Sequence, residues 1–201
     1  MQINTIIFDH NTIRRDEEES KIWMDENEKQ RDLDEFPEVK EVIRAGVFCN
    51  NASISEEKEE DSDKKTVGDP LEIALLQAGK TLNLDRAELL DQNPEVREEA
   101  FNPENKMMAT YHESEEGIYV AVKGAAESVL PACSRFLKDD ESRALDEKTR
   151  EEILKRNEEL AEQGLKVLAI ASKTVDDESK EPYRDLTLLG MLGLKDPPRE
   201  N

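Results

Sequence analysis

The sequence predicts an α+β fold in which a mainly antiparallel, twisted sheet is flanked by helices. In the middle of the chain, between residues 96 and 123, segments with the two-residue alternation of strands follow one another through short connections. Strands joined in this way pair antiparallel. Segments with helical spacing of apolar residues separate the groups of strands. We expect these helices to cover one face of the sheet.

The first part of the chain predicts short strands followed by a helix. Residues 4–13 are rich in β-branched and apolar side chains and indicate one or two opening strands. Residues 22–24 interrupt a charged stretch and indicate a short strand. Pro37 suits the first turn of a helix, in which Val39 and Val42 begin an apolar face.

A charged, low-complexity segment at about 53–66 predicts a mobile acidic loop. The following segment, GDPLEIALLQAGK, predicts a helix because Asp69 can cap its N-terminus and Pro70 suits its first turn. Gly79 lies near the end of this helix. A shorter helix is expected around residues 85–92.

The rest of the chain alternates between strand and helix patterns. The expected elements are strands at 96–101, 106–112 and 117–123, helices at 125–133 and 146–163, and strands at 165–175 and 186–194. Gly164 is expected to cap the second of these helices at its C-terminus.

The composition favours a single domain, residues 1–201, with hinge-like ends. A formal charge of −21 repels nucleic acid and anionic membranes and favours a monomer. The two cysteines are far apart in sequence, which indicates reduced, buried thiols in a cytoplasmic protein. The two histidines are also isolated, so we expect no metal site.

No segment of the sequence has the pattern of a membrane span or a signal peptide. The apolar stretches are much shorter than the ~20 residues that a transmembrane helix needs. The first residues also lack a basic region followed by a long apolar core. We therefore expect no direct contact with the membrane.

Six segments, in order along the chain, resemble motifs of the nucleotide-binding (N) domain of P-type cation-transporting ATPases, especially the calcium pumps. GDPLEIALL is similar to the family's GDPTExALL, FNPENKMM to FxSxRKRMS, VKGAA to KGAPE, QGLKVLA to GLRVLA and LGLKDPPR to GLxDPPR. RAGVFCNNA at 44–52 adds a sixth match. The resemblance implies the N-domain fold for most of the chain.

The resemblance also implies a function. Such a domain binds ATP and, in the intact pump, presents the γ-phosphate to an aspartate on the phosphorylation domain. The intact enzyme is an ATP-driven cation translocase and hydrolase, and its phosphorylation and actuator domains are the expected partners. Mg²⁺ is expected only with ATP in that enzyme. We expect no catalysis by residues 1–201 alone.

The family's ATP-binding residues correspond here to Glu72, Phe101, Lys106, Lys123, Gly124 and Arg199. By this likeness Phe101 stacks on adenine and Glu72 accepts a hydrogen bond from the adenine amino group. From the residues alone, Phe101 is equally consistent with a core aromatic. Glu72 alone is consistent with a carboxylate that favours the helix dipole.

The remaining residues of this set would serve the ribose and the phosphates. Lys106 and Lys123 supply flexible cations, although a lone lysine is most often a solvated surface residue. Gly124 lets the backbone approach a ligand or take a positive φ, or simply forms a turn between strand and helix. Arg199 resembles a bidentate polyphosphate donor. Pro103 and Asn105 replace basic or hydroxyl residues of the motif, so we expect weak binding.

The opening segment permits two alignments to the family. NTIIFDHNTI resembles the run after the phosphorylated aspartate, and this alignment is preferred. The other places Asp9 at that aspartate but replaces the Lys, Thr and Gly that follow it. Two other functions remain open: an interaction or regulatory domain of the same fold with little nucleotide affinity, and a haloacid-dehalogenase-type phosphatase with Asp9 as nucleophile, whose motif FDHNT only loosely matches.

Overall fold

The structure is a computed structural model that describes residues 1–16, 19, 21–54 and 66–196. Thirteen strands lie in these parts of the chain: β1 Gln2–Phe8, β2 Asn11–Arg15, β3 Trp23–Asp25, β4 Gln30–Arg31, β5 Ser53–Ile54, β6 Thr66–Val67, β7 Glu95–Asn102, β8 Met107–Ser114, β9 Gly117–Gly124, β10 Cys133–Lys138, β11 Glu141–Ala144, β12 Lys166–Val175 and β13 Leu186–Lys195. The α-helices are α1 Pro37–Phe48, α2 Pro70–Thr81, α3 Arg86–Gln92, α4 Ala126–Ala132 and α5 Glu147–Glu162, and a 3₁₀ turn spans Leu33–Glu35.

The predicted α+β class is confirmed. Eleven of the described strands form one sheet. Nine of them follow one another in the order β4-β3-β2-β1-β13-β12-β9-β8-β7, and each neighbouring pair in this row is antiparallel. The long strands β12 and β13 lie at its centre, with Leu168 opposite Leu192. The five helices flank this sheet.

The expectation that helices cover one face of the sheet is wrong, because both faces are covered. Neighbouring residues of β12 belong to different cores. Ile170 packs in the core under α1 and α2, and Ala171 packs in the core under α4 and α5. The sequence carries a signal for this arrangement, since a continuous apolar run such as 167–171 indicates a strand that is buried on both faces.

A hairpin formed by β10 and β11 was not predicted. Asp139 and Asp140 both adopt positive φ, at 49° and 60°, in the two-residue turn between these strands. Aspartate is among the residues that tolerate this conformation. β10 also pairs parallel with the start of β13, so not every pairing is antiparallel. The paired aspartates were the available sequence signal for this hairpin.

The predicted acidic loop at about 53–66 lies mostly outside the described residues. Its ends are not loop, because Ser53–Ile54 and Thr66–Val67 form a short antiparallel pair. The strand predicted at 106–112 is also shifted: it begins one residue later and ends two residues later, at Ser114. Lys106 itself lies in the preceding turn with a φ of 55°, and β8 begins at Met107.

The helix starts follow from capping side chains. Asp69 accepts a hydrogen bond from the Leu71 backbone N–H at 2.8 Å, and Pro70 occupies the first turn of α2. Asp146 caps α5 through the Thr149 N–H at 2.8 Å. Such caps each contribute about 1 kcal/mol to helix stability. At the other end of α5, Gly164 has the positive φ of 76° expected of a C-terminal cap.

Both cysteines are free and buried, as expected. Burial raises the pKa of the Cys49 thiol to about 11 and that of the Cys133 thiol to about 12. Both side chains are therefore neutral thiols at physiological pH. In the described parts of the chain, no helix is both long enough and apolar enough to cross a bilayer.

Candidate functional site

A cavity of about 480 Å³ opens at one end of the sheet. β8 and β12 begin there, β9 ends there, and the first turn of α2 closes one side. The lining residues are Asn51, Asp69, Leu71, Glu72, Phe101, Lys106, Met108, Lys123, Gly124, Ala125, Val167 and Leu168. The volume lies within the usual range of small-molecule sites, ~300–1,000 Å³.

Five of the six predicted site residues line this one cavity: Glu72, Phe101, Lys106, Lys123 and Gly124. They come from three separate motif segments, and the fold brings them together. The sixth, Arg199, lies outside the described residues. The structure therefore assigns a common location to all the predicted residues that it describes.

Phe101 lies near the end of β7 and is 58% exposed, although it is a large apolar side chain. Val67 is the other large hydrophobic residue with such exposure among the described residues. The alternative of a core aromatic is therefore wrong. A ring that remains exposed at the mouth of a cavity has a face available for stacking on a planar ligand.

Glu72 and Lys123 form a mostly buried ion pair in the cavity wall. The Lys123 Nζ donates to Glu72 Oε1 at 2.6 Å, and the two side chains are only 7% and 13% exposed. Glu72 lies in the first turn of α2, where the helix dipole favours a negative charge. Burial and pairing together fix the positions of both charged groups.

Lys106 is also paired, but in a different environment. Its Nζ lies 3.0 Å from Oε1 of Glu127, in the first turn of α4. The two side chains are 55% and 58% exposed. The pKa of Glu127 is held below its usual value, first by its own backbone N–H and then by Lys106. This pair is therefore charged, solvated and displaceable.

The glycine at position 124 is required by the backbone of a neighbouring turn. A Cβ atom there would lie 2.4 Å from the Lys106 carbonyl oxygen and 2.9 Å from Met107 Cγ. The Ala125 N–H donates to the same Lys106 oxygen at 3.1 Å. Gly124 thus allows the Lys106 turn to lie directly against the start of α4. Its φ is not positive, so that part of the expectation is wrong.

Asn50 does not line the cavity, but its side chain holds the backbone of a residue that does. Its side chain is buried, and its Nδ2 donates to the Glu72 carbonyl oxygen at 2.9 Å. Its Oδ1 accepts from the Ala52 N–H at 2.8 Å. Asn50 thereby ties the first turn of α2 to the segment that follows α1. A buried amide with these partners fixes the backbone that carries Glu72.

Sequence reasoning missed several cavity residues, although most lie in segments that carried the family likeness. Asn51 follows the FCN of the 44–52 segment, and its Nδ2 donates to Glu98 at 2.9 Å. Val167 and Leu168 belong to QGLKVLA. Glu127 does not line the cavity, but it directly follows VKGAA. Its place beside this motif was the only sequence feature that pointed to a position near Lys106.

The fold and this cavity together define an α+β domain with a cavity of small-molecule size at one end of its sheet. The model of the family described as P-type ATPase, cytoplasmic domain N, matches residues 38–201. The chain belongs to this family. The match begins after residue 37, so it leaves the two alignments of the opening segment undecided.

The curated relatives are longer proteins that are named as cation-transporting ATPases. The chain is 35% identical over 158 residues to calcium-transporting ATPase 1 of Bacillus cereus, which covers 76% of this chain and 17% of the relative. It is 35% identical over 174 residues to the cation-transporting ATPase pma1 of Synechocystis, covering 83% of this chain and 18% of the relative. The chain thus spans less than a fifth of these relatives.

A third relative is the sodium/potassium exporting P-type ATPase cta3 of Schizosaccharomyces pombe, with 35% identity over 166 residues, 79% of this chain and 15% of the relative. These relatives are named for different cations, so the likeness does not single out a transported ion. The family match covers residues 38–201, so it does not test the phosphatase alternative, which depends on Asp9. Asp9 lies in the turn between β1 and β2, with its Oδ1 near His10 and Lys138.

Proposed function

We propose that this chain binds adenine nucleotides, ATP above all, in the cavity beside Phe101, and that it does so as the N domain of a cation-transporting P-type ATPase. The observation that carries the proposal is the convergence of Glu72, Phe101, Lys106, Lys123 and Gly124 on one cavity of about 480 Å³. In the intact pump this domain would present the γ-phosphate to an aspartate on the phosphorylation domain.

The cavity has the contacts that adenine requires. The exposed ring of Phe101 offers a stacking surface, and Leu71, Met108 and Leu168 supply apolar walls. Glu72 uses one carboxylate oxygen for Lys123, and its second oxygen can accept a hydrogen bond from the adenine amino group. This combination favours adenine over a purine with a carbonyl oxygen at that position.

The phosphates would find fewer favourable contacts. Both lysines of the cavity are paired with glutamates, and the whole chain has a charge of −21. We therefore expect a dissociation constant on the order of 0.1 to several mM, with the adenine contacts dominant. We also expect binding without Mg²⁺, which needs several oxygen ligands in a regular arrangement.

Titration of ATP into the ¹⁵N-labelled chain, followed by backbone amide NMR, tests the proposal. We expect saturable shifts at Phe101, Lys123 and Gly124, with and without Mg²⁺. Phe101→Ala should abolish these shifts, while the remaining signals should stay those of the folded chain. Val67→Ala is the matched control, because it removes a similarly exposed apolar side chain that does not line the cavity.

Two results would contradict the proposal. Spectra unchanged at 10 mM ATP would show that the cavity lacks useful nucleotide affinity. Saturable shifts that persist in Phe101→Ala would place the binding elsewhere. The first result would favour the second candidate, an interaction or regulatory domain of the same fold. The observation behind that candidate is that glutamates already pair with both cavity lysines.

A further inference from the structure

The two lysines of the cavity differ in how freely a ligand can reach their charges. Lys123 is 6% exposed, and Glu72 holds its ammonium group in the wall. Lys106 forms an ion pair in which both side chains are more than half exposed. An exposed pair has a weak net attraction because water and salt screen it. Lys106 is therefore the cavity cation that an incoming phosphate can recruit from its present partner.

The backbone fixes this second pair in place. The Lys106 N–H donates to the Asn102 carbonyl oxygen at 2.7 Å, and the Lys106 carbonyl oxygen accepts from the Ala125 N–H at 3.1 Å. These bonds hold the Lys106 turn against the start of α4, which carries Glu127. The fold thus places the backbones of Lys106 and Glu127 so that the carboxylate reaches the ammonium group at 3.0 Å.

We propose that Glu127 is a specificity-determining residue, whose carboxylate competes with nucleotide phosphates for the Lys106 ammonium group and so lowers the preference of the cavity for ATP over adenosine. This inference rests on the proposed function, since it concerns the same site. A phosphate group must displace the carboxylate and also approach its negative charge. Adenosine does neither, because it has no phosphate.

The experiment compares the dissociation constants of ATP and adenosine, measured by amide NMR at Gly124, in the full chain. Glu127→Gln keeps the side-chain size and removes the charge. We expect it to raise the ratio of the adenosine constant to the ATP constant about three- to fivefold, the equivalent of an exposed ion pair of up to ~1 kcal/mol. The adenosine constant itself should stay within about twofold.

Two matched variants separate the direct contact from general electrostatics. Glu104→Gln removes a charge from the same turn, but no ion pair between Glu104 and Lys106 is found among the described residues. It should change the ratio less than about twofold, because an exposed charge without direct contact is screened. In a Lys106→Gln background, Glu127→Gln should no longer raise the ratio.

Failure of this inference and failure of the proposed function are distinguishable. If adenosine and ATP both bind but Glu127→Gln leaves the ratio unchanged, the competitor role is refuted and the site remains. The role is equally refuted if Glu104→Gln raises the ratio as much, or if the effect survives without Lys106. If neither ligand gives saturable shifts in the unmodified chain, the proposed function itself fails.

Discussion

The ion pair between Glu72 and Lys123 gives a sharp test of how the cavity wall is stabilised. The perturbations are Glu72→Gln, Lys123→Met and the double variant. Each single change leaves one charge without its partner in a wall where the side chains are only 7% and 13% exposed. The double variant removes both charges together. We therefore expect the two single effects to be far from additive.

The magnitudes follow from burial and position. Glu72→Gln strands the ammonium group of Lys123 and should lower the free energy of unfolding by about 2–4 kcal/mol. Lys123→Met should lower it by about 1–2 kcal/mol, because the remaining carboxylate lies in the first turn of α2 and is favoured by the helix dipole. The double variant should lose about 1–3 kcal/mol, well below the sum.

Urea unfolding provides the assay, with far-UV circular dichroism and tryptophan fluorescence as independent probes. Trp23 is the only tryptophan and is 5% exposed on β3, with the Arg15 guanidinium 4.6 Å from its ring centroid. Its emission should change when the sheet unfolds. Coincident transitions from both probes would justify the two-state treatment that these energies require.

The same cycle on the exposed pair serves as the control. Lys106→Met and Glu127→Gln should couple by less than ~1 kcal/mol, because both side chains are more than half exposed. If the buried pair also gave additive losses, or if Glu72→Gln cost less than ~1 kcal/mol, the assignment of a fixed ion pair in the wall would be refuted.

Three further predictions concern pH, packing and salt. The buried ring of His112 has its pKa lowered to about 4, first by desolvation, so between pH 6.5 and 4 the unfolded chain binds a proton that the folded chain excludes. The free energy of unfolding, measured with urea and compared with that of His112→Gln, should therefore fall by up to ~3 kcal/mol as pH drops from 6.5 to 4. A difference between the two proteins that stays the same over this pH range would contradict the prediction. Gly124→Ala should lower the free energy of unfolding by about 1–3 kcal/mol, because the added Cβ would clash with the Lys106 carbonyl oxygen. An unchanged thermal midpoint would show that the Lys106 turn can move to accommodate the methyl group. Raising NaCl from low ionic strength to ~0.5 M should increase the thermal midpoint, because salt screens the repulsion within a chain of net charge −21. The expected increase is about 2–4 °C for each kcal/mol of repulsion removed. A thermal midpoint that does not change with salt would show that the charges are already compensated.

The elements that the sequence predicted well carry strong local signals. Asp69 and Pro70 marked the start of α2, because a capping side chain and a proline both act within one turn. Gly164 marked the end of α5 for a similar local reason. The site residues were predicted through the family likeness rather than from local chemistry, since nothing at Phe101 or Lys123 alone identifies a ligand.

The features that the sequence did not predict depend on distant parts of the chain. β10 pairs with β13, whose partner segment lies about fifty residues further along. Such pairing leaves little trace in a local window. The packing constraint on Gly124 was not predicted either, because the atom that excludes a side chain there is the carbonyl oxygen of Lys106 in another turn. A glycine beside a lysine in a nucleotide motif suggests ligand approach, and here the same glycine also permits contact between two turns.

The structure also separates two lysines that sequence reasoning treated alike. Lys123 is part of the wall, so its replacement should affect folding and binding together. Lys106 is exposed and its partner is displaceable, so its replacement should affect binding of phosphate-bearing ligands alone. Loss of ATP binding in a Lys123 variant would therefore not by itself identify a phosphate contact. A lysine that contacts phosphate must alter the ratio of ATP to adenosine affinity, and among the cavity lysines we expect this of Lys106.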